Sequence, residues 1–437
     1  MAQSVIRVAG SGLTVPPPLS LYIHIPWCVK KCPYCDFNSH ALLPSPSGGG
    51  AGGEGSAVPE AAYIDALLRD LELALPDIWG RKIHSIFFGG GTPSLFSADG
   101  IDRILTGVRT LTPLLPNAEI TLEANPGTVE AAKFSGFRAA GVNRVSLGIQ
   151  SFNPRHLKAL GRIHDDTEAR RAAELAATHF DTFNLDLMFA LPGQTLAEAL
   201  ADIDTALSFQ PPHLSAYHLT PEPNTPFGHT APPNLPDDDL AADMQLAIEA
   251  RLTGAGMQHY ETSAYAQSGH ACRHNLNYWE FGDYLGIGAG AHSKLSFHDR
   301  ILRQMRIKHP QQYMQSLLHP SPASGGGTGG ERDFIVPASG GGPGRQANHI
   351  ADQRVLTRHD LPFEFMMNAL RLTDGVDTAL FEERTGLPLS VCSRALARAQ
   401  EQGLLERDMH RLKPTLHGQR FLNNLLEMFL PTAAEPK

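Results

Sequence analysis

The sequence predicts an α/β protein: a partial (βα)6 barrel followed by a small helical, winged-helix-like module. Three observations carry that expectation. Short apolar runs alternate with helical patterns six times in the first half of the chain, the mark of a parallel sheet with crossover helices. Polar residues gather just past the ends of those runs, where a barrel keeps its site. Beyond a glycine-rich block the pattern changes to successive helices and one short hairpin.

Taken in order, residues 1–20 are small, polar and proline-rich and read as a flexible lead-in. Residues 21–25 alternate as a first strand, which Pro26 breaks into a loop holding Cys28, Cys32 and Cys35. Residues 44–58 form a low-complexity insertion too polar to pack. A helix is expected over 60–75, then a strand over 83–88 leading into Gly89-Gly90-Gly91-Thr92-Pro93, and a helix over 98–111. The next strand, 118–123, runs into Ala124-Asn125-Pro126-Gly127 and a helix to about 140. Strands at 144–149, 182–189 and 213–219, with helices at 166–178 and 196–208, continue the scheme.

The barrel with its extension thus covers 21–318, and residues 319–352, with two GGG runs, read as a disordered linker. The C-terminal module, 353–430, has helices expected at 363–370, 380–385, 390–402 and 418–428, and a hairpin from 404–408 to 412–415. Winged-helix shapes often bind DNA. This one carries about as many acids as bases, which favours a scaffold or interaction role.

Composition narrows the function classes. A net charge of −9 argues against a nucleic-acid partner, which needs a basic surface to replace counterions. No apolar run is long enough for an integral membrane segment and no secretory signal pattern opens the chain, so a cytoplasmic protein is expected. Five cysteines, three of them in one loop and Cys272 and Cys392 alone, imply no disulfide framework.

The three clustered cysteines follow C-x3-C-x2-C. Three thiolates from one loop can each hold one iron of a [4Fe–4S] cube and leave the fourth iron open. A zinc loop is the competing reading, but zinc sites usually show paired C-x2-C knuckles or added histidines and four ligands in all. The three glycines after the second strand let a backbone edge approach a ligand, where a simple turn would need one. Glu123 ends a strand, Gln150 follows one, and Asp186 interrupts an apolar strand, where a carboxylate faces the lumen or is buried at considerable cost. Arg162 follows a short helix and can return a guanidinium to a carboxylate.

These motifs together resemble the HemN/HemW group of radical SAM proteins. The resemblance rests on YIHIPWCVKKCPYC, FFGGGTPS, ITLEANPG, RVSLGIQSF…LGR, FNLDLMFALPGQ and the C-terminal LPFEFMMNALRL…RTGL, and it spans nearly the whole chain apart from the glycine-rich segments. It implies a [4Fe–4S] cluster on Cys28, Cys32 and Cys35, with S-adenosylmethionine (SAM) chelating the open iron. It places SAM contacts on Tyr22, Gly90, Gly91, Thr92, Glu123, Gln150, Arg162 and Asp186, and extends them to Tyr34 and His218.

The group has two branches, an oxygen-independent coproporphyrinogen III dehydrogenase and a heme chaperone. The dehydrogenase has a further cysteine two residues after the third; here that residue is Phe37. It also has a longer N-terminal segment. The chaperone branch carries HNxxYW, which stands here as His274-Asn275-Leu276-Asn277-Tyr278-Trp279. All three features imply the chaperone, so no residue is assigned a catalytic role. Its expected partners are heme, a heme-acceptor protein and an electron donor such as flavodoxin or ferredoxin. His274 is the candidate heme ligand, with Tyr278 on the same helical face; His270 and Cys272 compete with it.

Overall fold

The computed structural model describes residues 13, 15–42, 58–128, 131–319, 349–408 and 410–431. Its first strand, β1 (Leu19–Ile25), is followed by a two-residue pair, β2 (Trp27–Cys28) and β3 (His40–Ala41), that closes the cysteine loop. Helix α1 (Glu60–Ala74) leads to β4 (Ile83–Gly90), α2 (Ala98–Leu111), β5 (Leu114–Ala124), α3 (Ala131–Ala140) and β6 (Arg144–Gln150). Then come α4 (Pro154–Ala159), α5 (Asp166–His179), β7 (Thr182–Phe189), α6 (Leu196–Ser208) and β8 (His213–His218).

The strands β1-β4-β5-β6-β7-β8 are neighbours in that order and all parallel, which is the expected six-unit partial barrel. Local chemistry explains the boundaries. Ser97 accepts from Gly100 N and caps α2, while Asp165 with Glu168 and Thr195 with Glu198 form capping boxes at α5 and α6. The helices turn alanine and leucine stripes onto the sheet, burying Ala169, Ala172, Ala173 and Ala176 of α5 against it.

The sheet is larger than the six units. After α7 (Pro226–His229) and α8 (Asp238–Gly254), β10 (Ala264–Ala266) adds antiparallel to β8 and β9 (Gln258–Glu261) antiparallel to β10. Helix α9 (Arg273–Trp279) precedes β11 (Asp283–Ile287), which joins the other edge parallel to β1. Antiparallel β12 (His292–Ser296), β13 (Ile301–Arg306) and, after α10 (Pro310–Leu318), β14 (Ile350–Val355) complete twelve strands.

Two boundaries differ from the expectation. Leu19 and Ser20, read as part of the lead-in, pair with β4 and β11 inside the sheet and are buried. Residues 350–352, read as the end of the linker, and 353–355, read as the start of the C-terminal module, pair with β13. Their mostly exposed side chains mark an edge strand without the apolar alternation that sequence patterns detect. The rest of the lead-in up to residue 12, the segment 43–57 and the block 320–348 lie outside the described residues.

A second core begins at Leu356 and gathers Phe365, Phe381, Leu396 and Leu412. It is built by α11 (Leu361–Ala369), β15 (Val376–Asp377), α12 (Thr378–Thr385), α13 (Ser393–Glu401), β16 (Leu405–Arg407), β17 (Arg411–Pro414), α14 (Leu416–Arg420) and α15 (Leu422–Glu427). The hairpin β16–β17 pairs antiparallel as expected, and β15 adds to its far side. Phe281 and Ile301 from the barrel join this core, so the two units share packing.

Candidate functional site

A cavity of about 510 Å³ occupies the barrel lumen. Strand alternation decides what faces it. Arg144, Ser146, Gly148 and Gln150 of β6 line it, as do Asn184, Asp186 and Met188 of β7 and His213, Ser215 and Tyr217 of β8, each set at spacing two. The same alternation turns His218 away: its ring packs at a tilt against Phe189 outside the lumen, and Tyr217 takes the lining position. The other expected site residues all line the cavity.

The three cysteines are free thiols, each partly buried, on the loop after β1. The loop is anchored by His24, whose Nε2 lies 2.9 Å from the Asn38 carbonyl, and by Asn38, which donates to the Ala289 carbonyl at 2.9 Å. Thr92 Oγ1 stands 3.6 Å from Cys28 Sγ, and Arg162 Nη1 stands 3.4 Å from Cys32 Sγ. Burial pushes the Cys28 and Cys35 thiols up. No set of three Cys, His, Asp or Glu ligands among the described residues converges on a single ion. A cube needs no such convergence, because each thiolate takes its own iron. Three soft donors on one anchored loop at a cavity of this size fit a [4Fe–4S] cluster.

The glycines have a steric reason different from the expected one. Gly90 has φ +110°, and a Cβ there would stand 2.4 Å from the His24 ring. A Cβ at Gly91 would stand 2.5 Å from the Trp27 carbonyl. Packing against β1 and its loop therefore demands both glycines, while their backbone still faces the cavity. Gln150 takes a left-handed φ of 68°, a strained value for a residue with a side chain, at the lumen end of β6.

Two buried carboxylates share the lumen. Burial, with Asp186 adding to it, pushes Glu123 up to about 8, and Glu123 accepts from the Gly90 amide at 3.3 Å. Burial also raises Asp186, which accepts from Asn184 Nδ2 at 2.8 Å and Ser146 Oγ at 3.0 Å. Arg162 spends four of its five N–H donors on Cys32, Tyr34, Asn125 and Gly148, leaving Nε without a partner. Asn125 also donates to Thr92 at 2.9 Å, so it ties the cysteine loop, the glycine turn and Arg162 together. Tyr22 lies in the lumen with its hydroxyl 3.1 Å from His24 Nδ1.

His274, 3% exposed, sits on α9 at the cavity wall. Its backbone N–H donates to Glu119 Oε1 at 3.1 Å, and its Nδ1 lies 3.1 Å from Ser85 Oγ. Its Nε2 is buried at the cavity wall without a partner among the described residues. Burial, reinforced by Arg144, lowers its pKa to about 3, so the ring is neutral. Phe87, Tyr278 and Tyr22 surround it at ring-centre distances of 5.0, 5.4 and 6.4 Å. Tyr22, 6.4 Å from the His274 ring centre, would meet a Cβ at Gly89 at 3.0 Å, so a single aromatic side chain lies between His274 and the glycine turn. Of its competitors, Cys272 is fully buried against Glu119 and His270 bonds Thr182, and neither lines this cavity.

Sequence reasoning missed Asn125, Arg144, Ser146, Asn184, His213 and Ser215. For half of them the signal was available: once Gln150 and Asp186 face the lumen, a period of two assigns Arg144, Ser146 and Asn184.

Residues 22–206 match the family model of the radical SAM superfamily, and residues 356–421 match that of the HemN C-terminal domain. In fold the chain is similar to coproporphyrinogen III oxidase (HemN) from Escherichia coli, a radical SAM enzyme, with a TM-score of 0.73. That likeness covers 95% of this chain and 90% of the other at 23% identity, and it concerns the fold alone. Barrel, cysteine loop and family match define a radical SAM protein with a HemN-type C-terminal domain. The chain is 49% identical to heme chaperone HemW of Escherichia coli (strain K12), over 95% of this chain and 98% of the relative. It is 47% identical to heme chaperone HemW of Haemophilus influenzae at the same coverage. The chain belongs to the HemW family of radical SAM proteins.

Proposed function

We propose that the protein binds heme and passes it to an acceptor protein, holding a [4Fe–4S] cluster and SAM in the same lumen. The observation that carries the heme assignment is the His274 Nε2, neutral, buried and unpartnered among aromatic rings at the cavity wall. A neutral imidazole is a strong axial ligand to heme iron, and flat aromatic walls suit a porphyrin. The relatives' names supply the carrier role.

Cys28, Cys32 and Cys35 would hold the cluster, which when bound supplies an electron to SAM. The chain's own groups do the rest. Glu123 and Asp186 offer acceptors to an ammonium or ribose hydroxyls, and a cationic ligand beside them would draw their protons off. The Gly90–Gly91 edge offers backbone groups, Arg162 offers its Nε–H to a carboxylate, and Tyr22, Tyr34, Thr92 and Gln150 complete the wall. His218 has no place in this set. Phe37 lines the cavity where the dehydrogenase branch carries a cysteine, in keeping with a carrier. An electron donor such as flavodoxin or ferredoxin would approach the cysteine loop. Among the described residues no helix is long and apolar enough to cross a membrane.

Heme titrated into anaerobically prepared, cluster-loaded protein, with and without SAM, tests the proposal. A saturable Soret shift at one heme per chain is expected, and a featureless rise with added heme opposes it.

A further inference from the structure

The His274 ring is held by a chain of buried hydrogen bonds whose direction can be worked out. Nδ1 lies 3.1 Å from Ser85 Oγ, and Ser85 Oγ lies 2.8 Å from Ser20 Oγ on the neighbouring strand, its register partner. Ser20 Oγ accepts from Asn277 Nδ2 at 2.9 Å, and the same Nδ2 donates to the Asp283 carbonyl at 2.8 Å. All four side chains are at most 8% exposed.

A backbone carbonyl only accepts, so the Asn277 amide must turn its nitrogen toward Asp283 and thereby toward Ser20. Ser20 then accepts, and among the described residues its own proton goes to Ser85. Ser85 accepts in turn and gives its proton to His274 Nδ1. With Nδ1 accepting, the single proton of the neutral ring sits on Nε2, the nitrogen at the cavity wall. In this direction each amide and hydroxyl proton of Asn277, Ser20 and Ser85 has an acceptor.

We infer that Asn277, Ser20 and Ser85 act as positioning residues that fix His274 in the Nε2–H form. The resting protein therefore presents an N–H donor to the lumen, and iron ligation by Nε2 requires the chain to reverse. This second half rests on His274 being the heme ligand. On reversal the ring gives up its Nε2 proton and carries one on Nδ1, with no net change. Nδ1–H then donates to Ser85, and Ser85 to Ser20. Ser20 now accepts twice, and its hydroxyl proton finds no acceptor among the described residues. Metal-bound histidines usually donate their second N–H to a carboxylate or carbonyl; here the partner is a hydroxyl that resists the role. An orphaned buried donor weakens the ligand by roughly tenfold in affinity, which suits a protein that must let its cargo go.

Long-range 15N–1H correlation spectra of the ligand-free protein, labelled at histidine, read the tautomer directly. The His274 signals are the ones lost in His274→Gln. The Nε2–H pattern is expected at neutral pH; the Nδ1–H pattern overturns the inference. Asn277→Asp is nearly isosteric. Kept protonated by burial, it can donate to the Asp283 carbonyl and accept from Ser20, which reverses the chain. It should show Nδ1–H and bind heme roughly tenfold more tightly, and an unchanged tautomer and affinity overturns the inference. If that variant does not fold, Ser85→Ala removes the bias and should show both tautomers; Nε2–H alone contradicts the relay. Undiminished heme affinity in His274→Ala would defeat the ligand reading while leaving the tautomer result standing.

Discussion

The guanidinium of Arg162 stands 3.4 Å from Sγ of Cys32, and through its second nitrogen it donates to the Gly148 carbonyl at 2.8 Å. One side chain thus couples the cysteine loop to the middle of the barrel wall. The same charge acts on Cys28, where it opposes the burial that raises the thiol.

Cluster content follows from that loop alone. Anaerobic reconstitution should give about four irons and four sulfides per chain. Serine at Cys28, Cys32 or Cys35 should abolish it. Cys272→Ser and Cys392→Ser should retain it, because Cys272 is buried against Glu119 and Cys392 in the C-terminal core. Loss of iron in Cys272→Ser would contradict the three-ligand assignment.

Glu123 gives the lumen a pH signature. Its folded pKa, raised to about 8 from an ordinary 4.5, favours the protonated form. The stability this contributes is fully present below 4.5 and is lost as pH rises through 8. Glu123→Gln removes the charging step, so ligand-free variant and native protein should melt alike at pH 4, below the ordinary glutamate value, with the variant higher at pH 9. SAM binding should weaken in the variant at both values. An equal melting difference at the two pH values would contradict the buried-carboxylate account.

Asp70 works in the opposite sense. Burial alone would raise it, but Arg306 at 3.0 Å and His349 at 3.0 Å override burial and hold it at about 2. Its contribution is present above 3.8 and lost as pH falls through 2. Asp70 also accepts from Tyr313 at 2.7 Å, tying α1 to α10, β13 and the turn before β14. Asp70→Asn leaves Arg306 buried without a countercharge and should cost about 3–5 kcal/mol in denaturant unfolding. A loss under 1 kcal/mol would show that the network relaxes.

How much of this was legible in the sequence depended on the range of the interaction. The six parallel strands announced themselves through continuous apolar runs such as Ile83–Phe88, because both faces of a parallel strand are covered. Strands β9 to β14 did not, being short or at an edge, with mixed polarity: β14 buries none of its six residues. Cys28, Cys32 and Cys35 were readable because their ligand spacing is local. His218 was misplaced by one position in the strand period, whereas Asn125 and Arg144 act through partners far away in the chain. The glycine turn was recognised, but its cause, the ring of His24 and the carbonyl of Trp27, lies on another strand.

The branch of the family is testable by a negative. Reduced, cluster-loaded protein given SAM and coproporphyrinogen III should form no protoporphyrinogen IX, since Phe37 occupies the position of the dehydrogenase's extra cysteine. Vinyl product well above the no-enzyme background, detected by mass spectrometry, would move the chain to the other branch.

The central claim is that His274 is where this chain holds heme. The most direct measurement is a heme titration of native protein and His274→Ala, both first shown to carry the cluster, read in the Soret band. His274 is anchored through Ser85 and Glu119 rather than through the cysteine loop, so the substitution should leave iron–sulfur content unchanged. Affinity for heme should fall at least roughly tenfold, as for the loss of an axial ligand, and the Soret maximum should move. An unchanged maximum and an unchanged affinity would contradict the assignment.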